Sequence, residues 1–126
     1  MNHGINLAHF FLGLQTQIRI YHWQTKSYSR HKATDGLLEK LEDNIDKFME
    51  VYQGKYKKLK LGSSKIMIEL CQLTDKQAKE LLINSIKFLN SITLQGLVKE
   101  NDNELLNIRD EIVGDLQQTL YLFSFY

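Results

Sequence analysis

The chain has 126 residues, of which 16 are Lys or Arg and 15 are Asp or Glu, so its formal net charge is +1. This length fits one domain that spans residues 1–126. The near-neutral charge gives no electrostatic reason to expect nucleic-acid binding. The single cysteine excludes a disulfide framework and a CxxC-type zinc site. It is typical of a reducing compartment, so we expect a cytoplasmic protein.

No proline occurs in the sequence, and proline is the residue that interrupts helices most strongly. Long uninterrupted helices are therefore expected. The purely apolar runs are only a few residues long, so we expect no segment that spans a bilayer. The first four residues also lack the basic and then apolar layout of a secretory signal.

Two amphipathic helices are predicted in the first half of the chain. Apolar residues recur every three or four positions from about Ile5 to about Lys26, and again from about Ala33 to about Lys57. This spacing gives each helix one apolar stripe. Residues 27–30 between them have weak helix propensity and are predicted to form a short connection.

Two more helices are predicted in the second half. Thr74, followed three residues later by Gln77, forms a capping-box pattern that starts a third helix, which is predicted to run to about Lys99. Residues 101–103 have the sequence Asn-Asp-Asn, which breaks that helix and is predicted to cap a fourth one.

The connection over residues 58–73 is much longer than the other two. Short links join antiparallel neighbours, so the pattern predicts an all-α four-helix bundle with one long crossover between the second and third helices. Residues 66–73 are apolar enough to form a short helix or a strand, and the pattern does not decide between them. Cys71 is expected to be a small buried side chain in this crossover.

Four lysines cluster at the end of the second predicted helix: Lys55, Lys57, Lys58 and Lys60. Cations are favourable at a helix C-terminus, so we interpret the cluster as a solvated helix end. Phosphate binding is the less favoured alternative.

Residue types that bind metals are concentrated on the second predicted helix. His31 and Asp35 are four residues apart, as are Asp46 and Glu50, so each pair shares a helix face. At ~100° per residue, all four side chains fall within a sector of roughly 100° beside the apolar stripe. On the first helix, His22 borders the stripe and is placed to face a neighbour.

A single helix cannot complete a metal site from these pairs. Asp35 and Asp46 are about 16–17 Å apart along the helix axis, whereas every ligand lies about 2.0–2.3 Å from its ion. Two copies crossed antiparallel about a two-fold axis near Lys40 and Leu41 would face the first pair of one copy with the second pair of the other. Mixed imidazole and carboxylate ligands favour iron, manganese or zinc.

These motifs resemble a known signature. His22-Trp23, residues 31–36 (His-Lys-Ala-Thr-Asp-Gly) and residues 46–50 (Asp-Lys-Phe-Met-Glu) resemble the ferroxidase signature of Dps-type miniferritins, which belong to the ferritin-like superfamily. Residues 114–123 resemble the last helix of that family more loosely. The resemblance implies a ferritin-like four-helix bundle.

The resemblance also implies iron ligands divided between two subunits, namely His22, His31 and Asp35 from one and Asp46 and Glu50 from its mate. It implies oxidation of Fe(II) by peroxide or oxygen, storage of the ferric product in a hollow homo-oligomer such as a dodecameric cage, and protection from peroxide. It suggests Trp23 as an electron donor, and Glu39 lies in the same helical sector as the ligands. No lysine-rich N-terminal tail is present, so DNA binding is not expected.

Each of these patterns also has an ordinary structural explanation. A lone histidine beside a core is usually packed and hydrogen-bonded, and a charged i,i+4 pair is usually a solvated face. Asp46 and Glu50 are like-charged at that spacing, however, which is unfavourable without a cation. The alternative to iron oxidation is a non-catalytic helical-bundle dimer or assembly subunit that lacks metal chemistry.

Overall fold

The computed structural model describes residues 3–125 of the chain. Four helices follow one another: α1 (His3–Gln24), α2 (Tyr28–Lys55), α3 (Asp75–Asn90) and α4 (Asn103–Leu122). The described residues form no strand. The predicted all-α four-helix architecture is therefore confirmed. None of the described helices has the length and apolar character needed to cross a membrane.

Contacts between the helices establish their directions. Phe10 near the start of α1 stacks on Phe88 near the end of α3, with ring centroids 4.0 Å apart, so these two helices are antiparallel. Lys55 at the end of α2 bonds Glu104 near the start of α4, so this second pair is antiparallel as well. Because α1–α2 and α3–α4 are hairpins, the helices run up, down, down and up. The long connection must therefore pass from one end of the bundle to the other.

The core is built from the apolar stripes of all four helices. Phe11 of α1 and Phe48 of α2 are both fully buried and meet edge-on, with ring centroids 5.0 Å apart. Burial of such a side chain contributes about 1.5–3 kcal/mol. Other side chains with almost no exposure are Leu7, Leu41, Leu82, Leu89, Leu105, Ile112 and Leu116.

The second helix begins earlier than predicted and also ends slightly earlier. It starts at Tyr28 rather than Ala33, because the Ser27 side chain accepts a hydrogen bond from the Arg30 N–H and caps the helix there. The predicted connection over residues 27–30 is thus wrong in position. Residues 25–27 make the turn between α1 and α2.

The third helix is shorter than predicted. It ends at Asn90 rather than near Lys99, and tight turns follow. Gly96 takes a positive φ of 72° there, a conformation that glycine adopts without strain. Leu97 donates its N–H to the Ile92 carbonyl at 2.9 Å and is buried through this turn rather than through a helical stripe.

The start of α4 corrects one prediction. Asp102 occupies the N-cap position, but its side chain makes no capping bond. Its side chain is instead only 3% exposed and accepts hydrogen bonds from Lys55 Nζ at 2.7 Å and from the Lys99 backbone N–H at 2.8 Å. The Tyr56 hydroxyl also donates to it. Lys55 pairs with Glu104 at 2.5 Å as well, so this exposed lysine links α2 to α4. The other three lysines of the cluster, Lys57, Lys58 and Lys60, are exposed, as expected of a solvated helix end.

These bonds determine the charges of the cluster. Burial raises the pKa of Asp102, but the bonds from Lys55 and Tyr56 outweigh it and hold that pKa at about 2. Burial and the bond to Asp102 raise the pKa of Tyr56 to about 12. The bonds to Asp102 and Glu104 raise the pKa of Lys55 above its ordinary value. Asp102 and Lys55 are therefore both charged near neutral pH.

The long connection forms a strap, residues 57–73, that runs along α1. His9 Nε2 donates to the Met67 carbonyl at 2.8 Å. The Gln17 side-chain amide donates to the Cys71 carbonyl at 2.9 Å and accepts from the Cys71 N–H at 2.6 Å. Residues 66–73 form neither a helix nor a strand. Cys71 is exposed, so the prediction of a buried thiol is wrong: its backbone, not its side chain, anchors the strap.

The predicted capping box at the start of α3 is confirmed. Thr74 Oγ1 accepts from the Gln77 N–H at 3.1 Å, and Gln77 Oε1 accepts from the Thr74 N–H at 3.0 Å. We expect Thr74→Ala to lower the free energy of unfolding by about 1 kcal/mol, because it removes the acceptor for a helix-start amide. Chemical denaturation measures this difference. Ser63→Ala, in the exposed turn of the strap, is the control and should change stability by less than about 0.5 kcal/mol; equal losses would contradict the prediction.

Candidate metal centre

Two histidines meet where α1 joins α2. Because only residues 25–27 separate the helices, His22 in the last turn of α1 lies beside His31 near the start of α2. Their imidazole rings are stacked, with centroids 4.0 Å apart and planes 13° from parallel. The sequence predicted both as ligands, and the structure brings them together within one chain.

The two histidines exchange hydrogen bonds with each other's backbone. His22 Nδ1 lies 2.9 Å from the His31 carbonyl oxygen, and His31 Nδ1 lies 2.9 Å from the His22 carbonyl oxygen. A carbonyl oxygen can only accept, so we assign the proton to Nδ1 in both rings. In the neutral imidazole, this leaves the Nε2 lone pair to bind a metal. A bond from the other ring nitrogen to a carbonyl is the usual support of a metal-binding histidine.

Thr34 supports His22 from α2. Its hydroxyl oxygen lies 2.9 Å from His22 Nδ1, and its hydroxyl donates to the Arg30 carbonyl at 2.8 Å. Because the hydroxyl proton is used on the backbone of α2, its oxygen is left to accept from the imidazole. Thr34 is 1% exposed. Sequence patterns missed this residue; its place three residues after His31, on the face of α2 that meets α1, is the signal that could have identified it.

A polar network anchors this end of the bundle. The Arg30 guanidinium donates to the Tyr21 hydroxyl at 3.0 Å and to the Asp75 carbonyl at 2.9 Å. It also lies 4.3 Å from the centre of the Phe123 ring. The Tyr21 hydroxyl donates to the Asp75 carboxylate at 2.6 Å, and burial together with this bond raises the pKa of Tyr21. The network joins elements from all four helices next to His31 and thereby restrains the histidine pair.

Asp35 lies one helical turn beyond His31. Its Oδ1 is 4.0 Å from His22 Nε2, and its side chain is 67% exposed. Two ligands that each lie about 2.0–2.2 Å from one ion are at most about 4.4 Å apart, so this spacing leaves room for an ion between them. Over residues 3–125, however, no three His, Cys, Asp or Glu side chains of one chain are arranged to hold a metal. His22, His31 and Asp35 of one chain therefore do not form a metal site by themselves.

Asp46 and Glu50 lie further along α2 and do not join this set within one chain. Both are exposed, and among the described residues neither pairs with Lys47 or any other cation. Asp46 lines a groove of about 380 Å³ between α1 and α2, together with Arg19 and Glu42. The two parts of the predicted ligand set thus occupy separate positions along α2.

The weaker candidates are on the surface. Trp23 is 71% exposed and Glu39 is exposed as well. The ring of Tyr28 lies 6.5 Å from the ring of His31, measured between centroids. Within residues 3–125, Trp23 makes no comparable ring contact with His31. Among residues 3–125, no ring contact or hydrogen bond positions the Trp23 side chain against the histidine rings.

Lys40 and Leu41, near which the sequence predicts a two-fold axis, both contact the rest of their own chain. Lys40 donates to Gln118 of α4 at 3.0 Å, and Leu41 is buried in the core. Leu41 thus lies in the core, whereas exposed Lys40 reaches along the surface to α4. At this level, the exposed residues of α2 include three acidic ones, Glu39, Glu42 and Asp43.

Comparison with known proteins gives a family without a known activity. Residues 22–123, which include every predicted ligand, match the sequence model of DUF5856, a family of unknown function. A relative from Enterobacteria phage T4, described as an uncharacterized 14.6 kDa protein in the mobD-ri intergenic region, is 35% identical over 120 residues. That match covers 90% of this chain and 85% of the relative. No solved structure matches the chain. By the extent of the first match, this chain belongs to the DUF5856 family.

Proposed function

We propose that this protein is a Dps-like miniferritin that binds Fe(II) between two subunits and oxidises it, which sequesters iron and consumes peroxide. The observation that carries the proposal is the stacked pair His22 and His31, in which both Nδ1–H groups are bound to carbonyls. The Nε2 atoms of both rings are thereby left to bind a metal, and that of His22 lies 4.0 Å from Asp35 Oδ1. A carbonyl bond at the other ring nitrogen is usual for a metal-binding histidine, and this arrangement supports the proposal.

Iron is the substrate of the proposed reaction. Imidazole nitrogens suit iron, and anionic carboxylates favour the more highly charged Fe(III) over Fe(II). Each Fe(II) gives up one electron; one peroxide takes up two electrons and two protons and leaves as two water molecules. Manganese or zinc would fit the same donors and compete with iron.

A second copy of the chain completes the site in this proposal. With two α2 helices antiparallel, Asp46 and Glu50 of one copy face the histidine pair of the other, and two equivalent sites form. The exposed side of the α1–α2 hairpin offers Leu12 and Trp23 as apolar contacts. The carboxylates of α2 repel one another across such an interface, and bound cations would offset that repulsion.

The direct test adds Fe(II) with peroxide or with oxygen and follows ferric absorbance. We expect His31→Ala and Asp46→Ala each to lower the oxidation rate at least about tenfold relative to the wild type, because each removes one ligand from every site. His9→Ala and Asp43→Ala remove the same side-chain types away from the proposed ligands and should keep the wild-type rate. Equal rates in all five proteins would reject the proposal.

The alternative is a helical dimer or assembly subunit without metal chemistry. The exposed Trp23 and Leu12 favour it, because an apolar contact between copies needs no ion. It would show a dimer in solution whose Fe(II) oxidation is no faster than that of buffer alone. Light scattering separates the assemblies: a dimer has about twice the chain mass of 14.8 kDa, and a dodecameric cage about six times more again.

A further inference from the structure

A second candidate site lies at the end of the bundle opposite the histidine pair. This cavity has a volume of about 720 Å³, within the range of about 300–1,000 Å³ that is typical of small-molecule sites. Its walls include Gly4 of α1, Tyr52 and Tyr56 at the end of α2, and three strap lysines, Lys57, Lys58 and Lys60. The proposed iron site makes no use of this cavity.

The three strap lysines give the cavity an excess of positive charge. Lys55 also lines it, but Asp102 and Glu104 neutralise that ammonium group. In contrast, the strap lysines form no ion pair with any carboxylate of residues 3–125. Because the whole chain has a net charge of only +1, three uncompensated cations at one cavity are a strong local concentration.

The opposite wall is firmly held. The rings of Tyr52 and Tyr56 lie 4.9 Å apart, Tyr52 is buried, and the Tyr56 hydroxyl is bound to Asp102. His3 and Gly4 bring the start of α1 to the edge of the cavity. The cavity thus combines a fixed wall with ammonium groups on flexible stems.

We propose that this cavity binds the diphosphate group of a small molecule, with the strap lysines as its cationic contacts. A diphosphate has about three negative charges near neutral pH, which matches the three unpaired lysines. Lysine suits phosphate because its ammonium acts as a compact point charge with three donors. A nucleic acid is the less suitable occupant, because the exposed acidic face of α2 on the same small chain repels a long polyanion.

Calorimetric titration with inorganic pyrophosphate at about 0.15 M salt tests the proposal. Two triple variants of the full chain are compared with the wild type: Lys57→Gln/Lys58→Gln/Lys60→Gln at the cavity, and Lys76→Gln/Lys79→Gln/Lys87→Gln on α3. Both remove three positive charges from exposed lysines. We expect the cavity variant to bind pyrophosphate at least about tenfold more weakly and the α3 variant to bind it like the wild type.

Further titrations identify the source of the diphosphate. Tighter binding of ADP than of pyrophosphate would assign a nucleotide, and equal binding would assign the diphosphate group alone. Three results would overturn the proposal: no pyrophosphate binding by the wild type, equal losses in both triple variants, or tighter binding of a single-stranded oligonucleotide than of either small molecule. Thermal unfolding of both variants shows whether they are folded.

Discussion

Mixing His31→Ala chains with Asp46→Ala chains is expected to restore Fe(II) oxidation that neither variant shows alone. In a mixed dimer, one site receives both substitutions, and the other combines an intact histidine part with an intact Asp46 part. Random pairing makes half of the dimers mixed, so about one quarter of the wild-type sites are recovered. The increase in ferric absorbance measures that fraction.

The matched control mixes two variants whose substitutions lie in the same part of the proposed ligand set. His31→Ala and Asp35→Ala both damage the part near the α1–α2 turn, so every site in their mixed dimer lacks one ligand. This mixture should stay as slow as each variant alone. Recovery in both mixtures, or in neither while the wild type is active, would contradict a site shared between subunits.

Asp102→Asn is expected to lower the free energy of unfolding by about 2 kcal/mol or more. The substitution removes the charge from a carboxylate that is 3% exposed and bound by Lys55, Tyr56 and the Lys99 amide. Hydrogen bonds to charged groups contribute about 1.5–3 kcal/mol each, and the amide replaces them poorly. Urea denaturation at neutral pH measures the difference. Asp110→Asn is the control, because Asp110 pairs with Arg109 on the exposed surface and should cost less than about 1 kcal/mol.

The pH dependence of this difference provides a second measurement. The pKa of Asp102 in the native protein, about 2, is below its ordinary value of 3.8, so the unfolded chain takes up the proton more readily. The stabilisation is therefore complete at neutral pH and is lost as the pH falls from about 5 toward 2. The difference in the free energy of unfolding between wild type and Asp102→Asn should therefore decrease over that pH interval. If that difference in the free energy of unfolding stays constant down to pH ~3, Asp102 stabilises the protein by packing alone.

The parts of the fold that depend on neighbouring residues could be predicted from the sequence. The apolar stripes of α1 and α2 and the capping box of Thr74 and Gln77 follow from residues within one or two turns of each other. The early start of α2 is also local, since the Ser27 side chain caps it. Serine is a common N-cap, so that boundary was available in the sequence and was missed.

Features that depend on distant residues could not be predicted. Asp102 and Lys55 are 47 residues apart in sequence. Each is already explained by its local sequence, Asp102 as a helix N-cap and Lys55 as a cation at a helix end, so nothing in the sequence links them. Only the packing of α2 against α4 brings them together. Cys71 was expected to be buried because cysteine usually is, but the strap is held through its backbone by Gln17.

The sequence indicates which residue types the candidate site contains, but it does not indicate the hydrogen bonds that orient them. The spacing of His31, Asp35, Asp46 and Glu50 predicts ligands on one face of α2, and their role as ligands stays a prediction. The exchange of hydrogen bonds between His22 and His31 depends on the exact turn geometry. Completion of the site by a second copy stays a prediction.

The orientation of His22 and His31 depends on the number of residues in the tight turn between α1 and α2. Each histidine is oriented by the carbonyl of the other, so neither ring has an orientation that is independent of the turn. One residue inserted between His22 and the end of α1, or between the start of α2 and His31, would rotate that imidazole by about 100° around its helix axis relative to the turn and break the exchange of hydrogen bonds. We therefore expect the insertion or deletion of one residue between His22 and His31 to separate the two imidazoles while the core of the bundle stays folded.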